Sequence, residues 1–96
     1  MRLLRDCRER SANLEDGKQF IRASGSIGAN YIEANEAIGK KDFMMKIKIC
    51  RREAKESRYW LRLLDVDGKL ERQRQQLSAE AQELMNILGA ILRKCE

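Results

Sequence analysis

The chain has 96 residues, enough for one small domain that buries roughly 60–65% of its unfolded surface, and too few for two cores. It lacks proline and threonine, has one valine, and is 36% charged, a composition that disfavours sheets and favours an all-α fold over residues 1–96. With no histidine, the chain is excluded from histidine-based zinc sites and Ser-His-Asp chemistry, and no apolar run approaches the roughly 18–20 residues that cross a bilayer.

Four helical pieces are expected, at about 2–12, 17–37, 40–65 and 70–94. The first carries only Leu3, Leu4 and Cys7 before Arg8, Glu9, Arg10 and Ser11 interrupt the apolar stripe. At about 1.5 Å per residue it is a stub of some 15 Å. It cannot cover three longer helices, so either the start of the chain is lacking or another subunit supplies the cover.

Asp16-Gly17-Lys18-Gln19 offers an N-cap with a glutamine three positions on, which predicts a helix start there. The second piece then places Phe20, Ser24, Ile27, Tyr31, Ala34 and Ile38 at alternating steps of four and three. A neighbouring face carries Ala23, Ser26, Asn30, Glu33 and Ala37. Gly25 and Gly28, inside this piece, cost about 1 kcal/mol each against alanine unless another helix packs closely there. Asn30 and Glu33, once enclosed, need polar partners, and a register-fixing network is the simpler reading than catalysis.

Gly39 and Gly68 follow periodic segments, as helix stops do. The third piece repeats the rhythm with Phe43, Ile47, Cys50, Ala54, Ser57, Leu61 and Leu64, and the fourth with Leu77, Ala81, Leu84, Leu88, Ile91 and Cys95. Seven-residue spacing through three segments with short links predicts an up-down four-helix bundle with a shortened first helix. Cys7, Cys50 and Cys95 form no CxxC pair, and two of them fall at core spacing; no metal, cofactor or disulfide is expected, and the compartment is read as cytoplasmic.

The charge is concentrated. Between Lys40 and Arg62 nine basic residues face three acidic ones, so that segment holds an excess of six positive charges over a nearly neutral remainder. Lys48, Arg51, Lys55, Arg58 and Arg62 keep the four-three rhythm, displaced by one residue from the core stripe, and form one basic ridge. Glu53 and Glu56 fall on the opposite flank, near Trp60. An ordinary solvated helix face interleaves signs to gain about 0.2–0.5 kcal/mol per pair. This ridge forgoes that gain, which points either to a polyanion such as RNA or DNA or to neutralisation by acidic groups of a neighbouring helix or subunit. Tyr59 and Trp60 are adjacent, so at most one points inward, and the other is read first as a subunit contact. Any nucleic-acid binding would be to backbone or shape, because no base-reading motif is visible.

The stretch RASGSIGANYIEANEA (Arg22 to Ala37) followed by KKDFMMKIKICRREAKESRYWLRLL (Lys40 to Leu64) resembles the four-helix-bundle proteins of the 23S rRNA intervening-sequence family. The resemblance extends over roughly Leu14 to Lys94, with the last helix matching only in its apolar pattern. It implies an up-down bundle without a catalytic site, assembled as a homo-oligomer, with a pentamer as the expectation. It also implies a link to the accessory variability determinant of diversity-generating retroelements, which associates with a reverse transcriptase and nucleic acid. By the same resemblance Arg22, Ser26, Asn30, Glu33, Glu56, Tyr59 and Trp60 hold helices or subunits together. Two departures stand out: the short first helix, and Gly39 where relatives tend to place a capping serine, which predicts a less firmly started third helix.

Overall fold

A computed structural model describes residues 2–64, 66 and 68–95, with side chains described from residue 13 onward. Three helices make up the described chain: α1 (Arg2–Asn35), α2 (Lys40–Leu63) and α3 (Gly68–Cys95). The 34 residues of α1, at about 1.5 Å each, set the long dimension of a particle measuring 57 × 21 × 17 Å. Helix α2 occupies the middle. Among the described residues α1 and α3 each pack along α2, and their backbones do not come close to one another.

The boundary expected near Asp16 is absent, because α1 runs unbroken across it. A cap is a local preference of about 1 kcal/mol, which tertiary packing overrides. Here Gly17 faces Leu64 at the end of α2: a methyl group on Gly17 would lie 3.9 Å from its Cδ2. The segments expected at 2–12 and 17–37 are thus one rod, and the apolar stub Leu3, Leu4 and Cys7 lies outside the described side chains.

On α2 the predicted seam is the observed one. Ile47, Cys50, Ala54, Ser57 and Leu61 are buried, with Phe43 half-buried at its start. On α3 the seam centres on Leu88 and Leu92, while Leu77, expected inside, is exposed. The seam of α1 is rotated from the expected stripe. It runs through Phe20, Ala23, Ile27, Asn30 and Ala34, and Ala23 and Ala34 are fully enclosed. Tyr31 and Ile38, expected inside, are 48% and 93% exposed. The physical reason is side-chain size: alanines let α2 approach closely, so the line of closest contact follows them rather than the larger residues.

Ala34, Ile47, Cys50, Leu88 and Leu92 form the core cluster, with Phe43, Met44, Leu84 and Ile91 packed around it. It joins the C-terminal end of α1, the N-terminal half of α2 and the C-terminal half of α3. Full burial of side chains such as Ile47 and Leu88 contributes about 1.5–3 kcal/mol each. The Cys50 thiol donates to the Ile27 carbonyl at 3.5 Å, and burial pushes its pKa up, which keeps it a neutral core group.

The turn from α1 to α2 depends on Gly39, whose φ of +89° and ψ of 160° are open essentially to glycine alone. Its carbonyl accepts the first helical bond, from Phe43 N–H at 3.3 Å. Glycine therefore stands here for its backbone, and the comparison with a capping serine misjudges the position. Gly68, expected as a stop, is instead the first residue of α3. At this corner Arg74 donates to the Leu64 carbonyl at 2.7 Å and pairs with Glu71, which holds the Glu71 carboxyl below the usual range.

Candidate nucleic-acid interface

Helix α2 carries a charged flank on each side of its buried seam, and the flanks have opposite character. Toward α1 lie Glu53 and Glu56. Arg22 of α1 reaches both, with Nη2 3.2 Å from Glu56 Oε2 and Nη1 3.6 Å from Glu53 Oε2. About two turns nearer the α1–α2 corner, Lys46 Nζ lies 2.9 Å from Glu33 Oε2, and that bond raises the Lys46 pKa above its ordinary value. Glu33, Glu53 and Glu56 each have a cation beside them.

Toward α3 the flank is basic, and there the ridge expected from the sequence divides into two parts. Arg58 donates to the side-chain carbonyl of Gln82 on α3. Arg62 shares a recess of about 180 Å³ with Glu71 and Arg74. Arg58 is thereby tied to α3, whereas Arg62 is exposed and pairs with no carboxylate among the described residues. Lys48, Arg51 and Lys55 line a trough of about 560 Å³ between α2 and α3, and no carboxylate among the described residues bridges to any of them.

Four residues of α3 complete the trough: Met85, Gly89, Leu92 and Arg93. Gly89 stood out in the sequence as a glycine inside a helix, whereas the other three carried no signal there. Gly89 is buried, and a methyl group there would lie 3.5 Å from Nη1 of Arg93 and 3.7 Å from Cζ of Arg51. These are ordinary contact distances, and they place both guanidinium groups beside the α3 backbone at Gly89. The i, i+4 and i, i+8 spacing of Met85, Gly89 and Arg93 was visible in the sequence, but which face of α3 meets α2 was not. Arg52 also lines the trough, and sits 3.8 Å from Glu53 Oε1.

The remaining expected residues fall elsewhere. Asn30 donates to the Ser26 carbonyl at 2.9 Å and to its hydroxyl at 3.1 Å, a bond within α1 rather than between helices. Gly25 and Gly28 face open space with no atom of the chain within 4 Å, so they serve no packing inside this chain. They lie on the outer face of α1 with Leu14, Ile21 and Ile32, which are 68%, 70% and 63% exposed. Tyr59 and Trp60 pack edge to face with centroids 5.1 Å apart; Tyr59 is exposed and Trp60 half-buried. Two buried polar atoms, Glu53 Oε2 and Ser57 Oγ, have no hydrogen-bond partner among the described residues. Among those residues no group of three or more acidic, cysteine or histidine side chains could hold a metal ion, and no helix is long and apolar enough to cross a membrane.

The described residues define a small all-α protein of three rods, with ion pairs joining the acidic flank of α2 to α1 and a cationic flank beside α3. The 23S rRNA-intervening sequence protein family matches residues 2–90, and the chain belongs to that family. No curated protein matches the chain. Among solved structures, a protein of unknown function from the S23 ribosomal protein family of Bacteroides thetaiotaomicron is 35% identical. The alignment covers 80% of this chain and 72% of that one, with a TM-score of 0.73.

Proposed function

We propose that the protein is a non-enzymatic, cytoplasmic scaffold that assembles with copies of itself and holds RNA or DNA against the basic flank of α2. The observation that carries this reading is the asymmetry of α2: Glu53 and Glu56 are matched by Arg22, whereas Lys48, Arg51 and Lys55 have no carboxylate in bridging distance among the described residues. Like charges at this spacing repel, and a polyanion relieves the repulsion while releasing its own condensed counterions. Membership in a family described by intervening sequences of 23S rRNA is in keeping with such a ligand.

Titration of structured RNA at rising salt tests this. Each phosphate contact contributes about 0.7–0.9 to the log–log slope, so replacing Lys48, Arg51 and Lys55 together by glutamine lowers it by roughly two to three. An unchanged slope moves the site elsewhere. No binding at low salt rejects the reading.

A second reading, a structural or protein-binding module such as an accessory to a retroelement reverse transcriptase, is favoured by a different observation. The outer face of α1 presents Leu14, Ile21 and Ile32 around the open backbone of Gly25 and Gly28. That face suits close approach of another helix. If the four-helix arrangement implied by the resemblance holds, the three described helices lack one neighbour, and a helix of a second copy, in a ring such as a pentamer, would supply it. The mass of the native particle decides: a monomer at micromolar concentration rejects self-assembly, and co-purification with a reverse transcriptase would favour the accessory role.

A further inference from the structure

We infer that the trough between α2 and α3 takes a single strand of nucleic acid rather than a duplex, with one backbone phosphate seated over Gly89 between Arg51 and Arg93. The inference rests on the polyanion reading above and narrows its ligand. Three observations carry it.

First, the cations converge. Arg51 and Arg93 are exposed to solvent along the trough, and their guanidinium groups meet beside the bare backbone at Gly89, within 3.5–3.7 Å of the place a side chain would occupy. Packed helices stand about 8–10 Å apart, so a trough between two of them admits one sugar-phosphate strand. A duplex carries its phosphates on its rim, beside a major groove about 12 Å wide, and cannot lower a phosphate to the floor of such a trough. Two donor-only groups meeting at one point without a carboxylate make a seat for a single tetrahedral anion, held by forked hydrogen bonds.

Second, the trough continues. Lys48 lines both this cavity and a second one, of about 470 Å³, with Lys40, Lys41, Met44 and Met45. From Lys40 to Lys55 the helix rises by roughly 22 Å, which gives the cations a linear track along one strand.

Third, the surface between the cations is apolar and soft. Met44, Met45 and Met85 line the two cavities. Thioethers make favourable contacts with aromatic rings and adapt to different shapes, and nucleobases offer ring faces only when they are unpaired. A duplex would leave these methionines facing phosphates and solvent.

The test compares a 12-nucleotide single-stranded RNA with the same sequence annealed to its complement, by fluorescence anisotropy at fixed salt. The single strand is expected to bind at least about tenfold more tightly. Gly89→Leu fills the floor and should remove most of that advantage, leaving the weaker duplex affinity nearly unchanged. Arg93→Gln, at an exposed position that cannot unfold the core, should lower the single-strand salt slope by about 0.7 and serves if Gly89→Leu misfolds. Duplex binding equal to or tighter than single-strand binding overturns the groove assignment while leaving a nucleic-acid role in place. An unchanged slope in Arg93→Gln overturns it as well. Binding of neither RNA at low salt removes both the groove and the reading beneath it.

Discussion

Arg22 of α1 and Glu56 of α2, 34 positions apart in sequence, meet at 3.2 Å, and the same guanidinium approaches the buried Glu53 at 3.6 Å. This cation gathers the acidic flank of α2 onto α1, and in doing so it leaves the basic flank to α3. The sorting of charge about the central helix is set by its own sequence, and Arg22 with its two carboxylates ties one of the resulting flanks to α1.

Removing it exposes the cost of the arrangement. Glu53 is about nine-tenths buried and Arg22 half-exposed, so Arg22→Gln should destabilise by about 1–2 kcal/mol, less than the 3–5 expected for a fully buried pair. Arg22→Gln combined with Glu53→Gln should recover part of the loss, because the buried charge is then gone too. Urea denaturation of the two single variants and the double variant measures this. A double variant weaker than the wild type by the full sum of the two single losses would show that the groups do not interact.

At Gly39 the backbone itself makes the prediction. Both Gly39→Ala and Gly39→Ser should lower stability by about 1–3 kcal/mol, since each forces a side chain into a conformation L-residues rarely adopt. The serine variant separates two explanations. If glycine were only a substitute cap, serine would stabilise the start of α2 by a few tenths of a kcal/mol or more. A rise in thermal midpoint for Gly39→Ser would reject the backbone account.

Titration reports on the α2–α3 corner. The Glu71 carboxyl is held below its ordinary value chiefly by its hydrogen bond with Arg74. A folded-state pKa below the unfolded one means that the stabilisation is present above the unfolded value, near 4.5, and lost as pH falls through the folded value. Stability should therefore fall on acidification below about pH 4.5, and Glu71→Gln should flatten that limb by lowering the neutral plateau toward the acid value, with little change at the acid end. Lys46 has the opposite sign: its raised value means its share is present below 10.5 and lost as pH rises beyond the folded value. Lys46→Met should flatten the alkaline limb alone. Chemical denaturation between pH 3 and pH 11 covers both cases.

The outer face of α1 distinguishes packing within the chain from packing between chains. Gly28 meets nothing within 4 Å, so Gly28→Leu should keep or raise the stability of the monomer by up to about 1 kcal/mol through helix propensity. If a second copy seats on this face, the same substitution should lower the mass of the native particle in sedimentation. Loss of stability at concentrations where the protein is monomeric would instead place Gly28 in an internal contact.

The seam of α2, from Ile47 through Leu61, and the placing of Glu53 and Glu56 on the flank opposite Lys48, Arg51 and Lys55 were legible in the linear order of residues. Both depend only on the angular period of a helix, which any local stretch of chain obeys. So were the limits of α2 and α3, to within two residues. The cap at Asp16–Gly17 misled, because a local preference gives way when the rod it would interrupt has a long surface to lie against.

Other features belong to the packed molecule alone. The rotation of the α1 seam onto Ala23 and Ala34, the diversion of Arg58 to Gln82, and the meeting of Arg51 with Arg93 over Gly89 each require a distance between two helices and a register along them. Helical periodicity tells which residues share a face. The neighbour each face meets is decided by how closely small side chains allow the rods to approach, a balance struck by all three helices together.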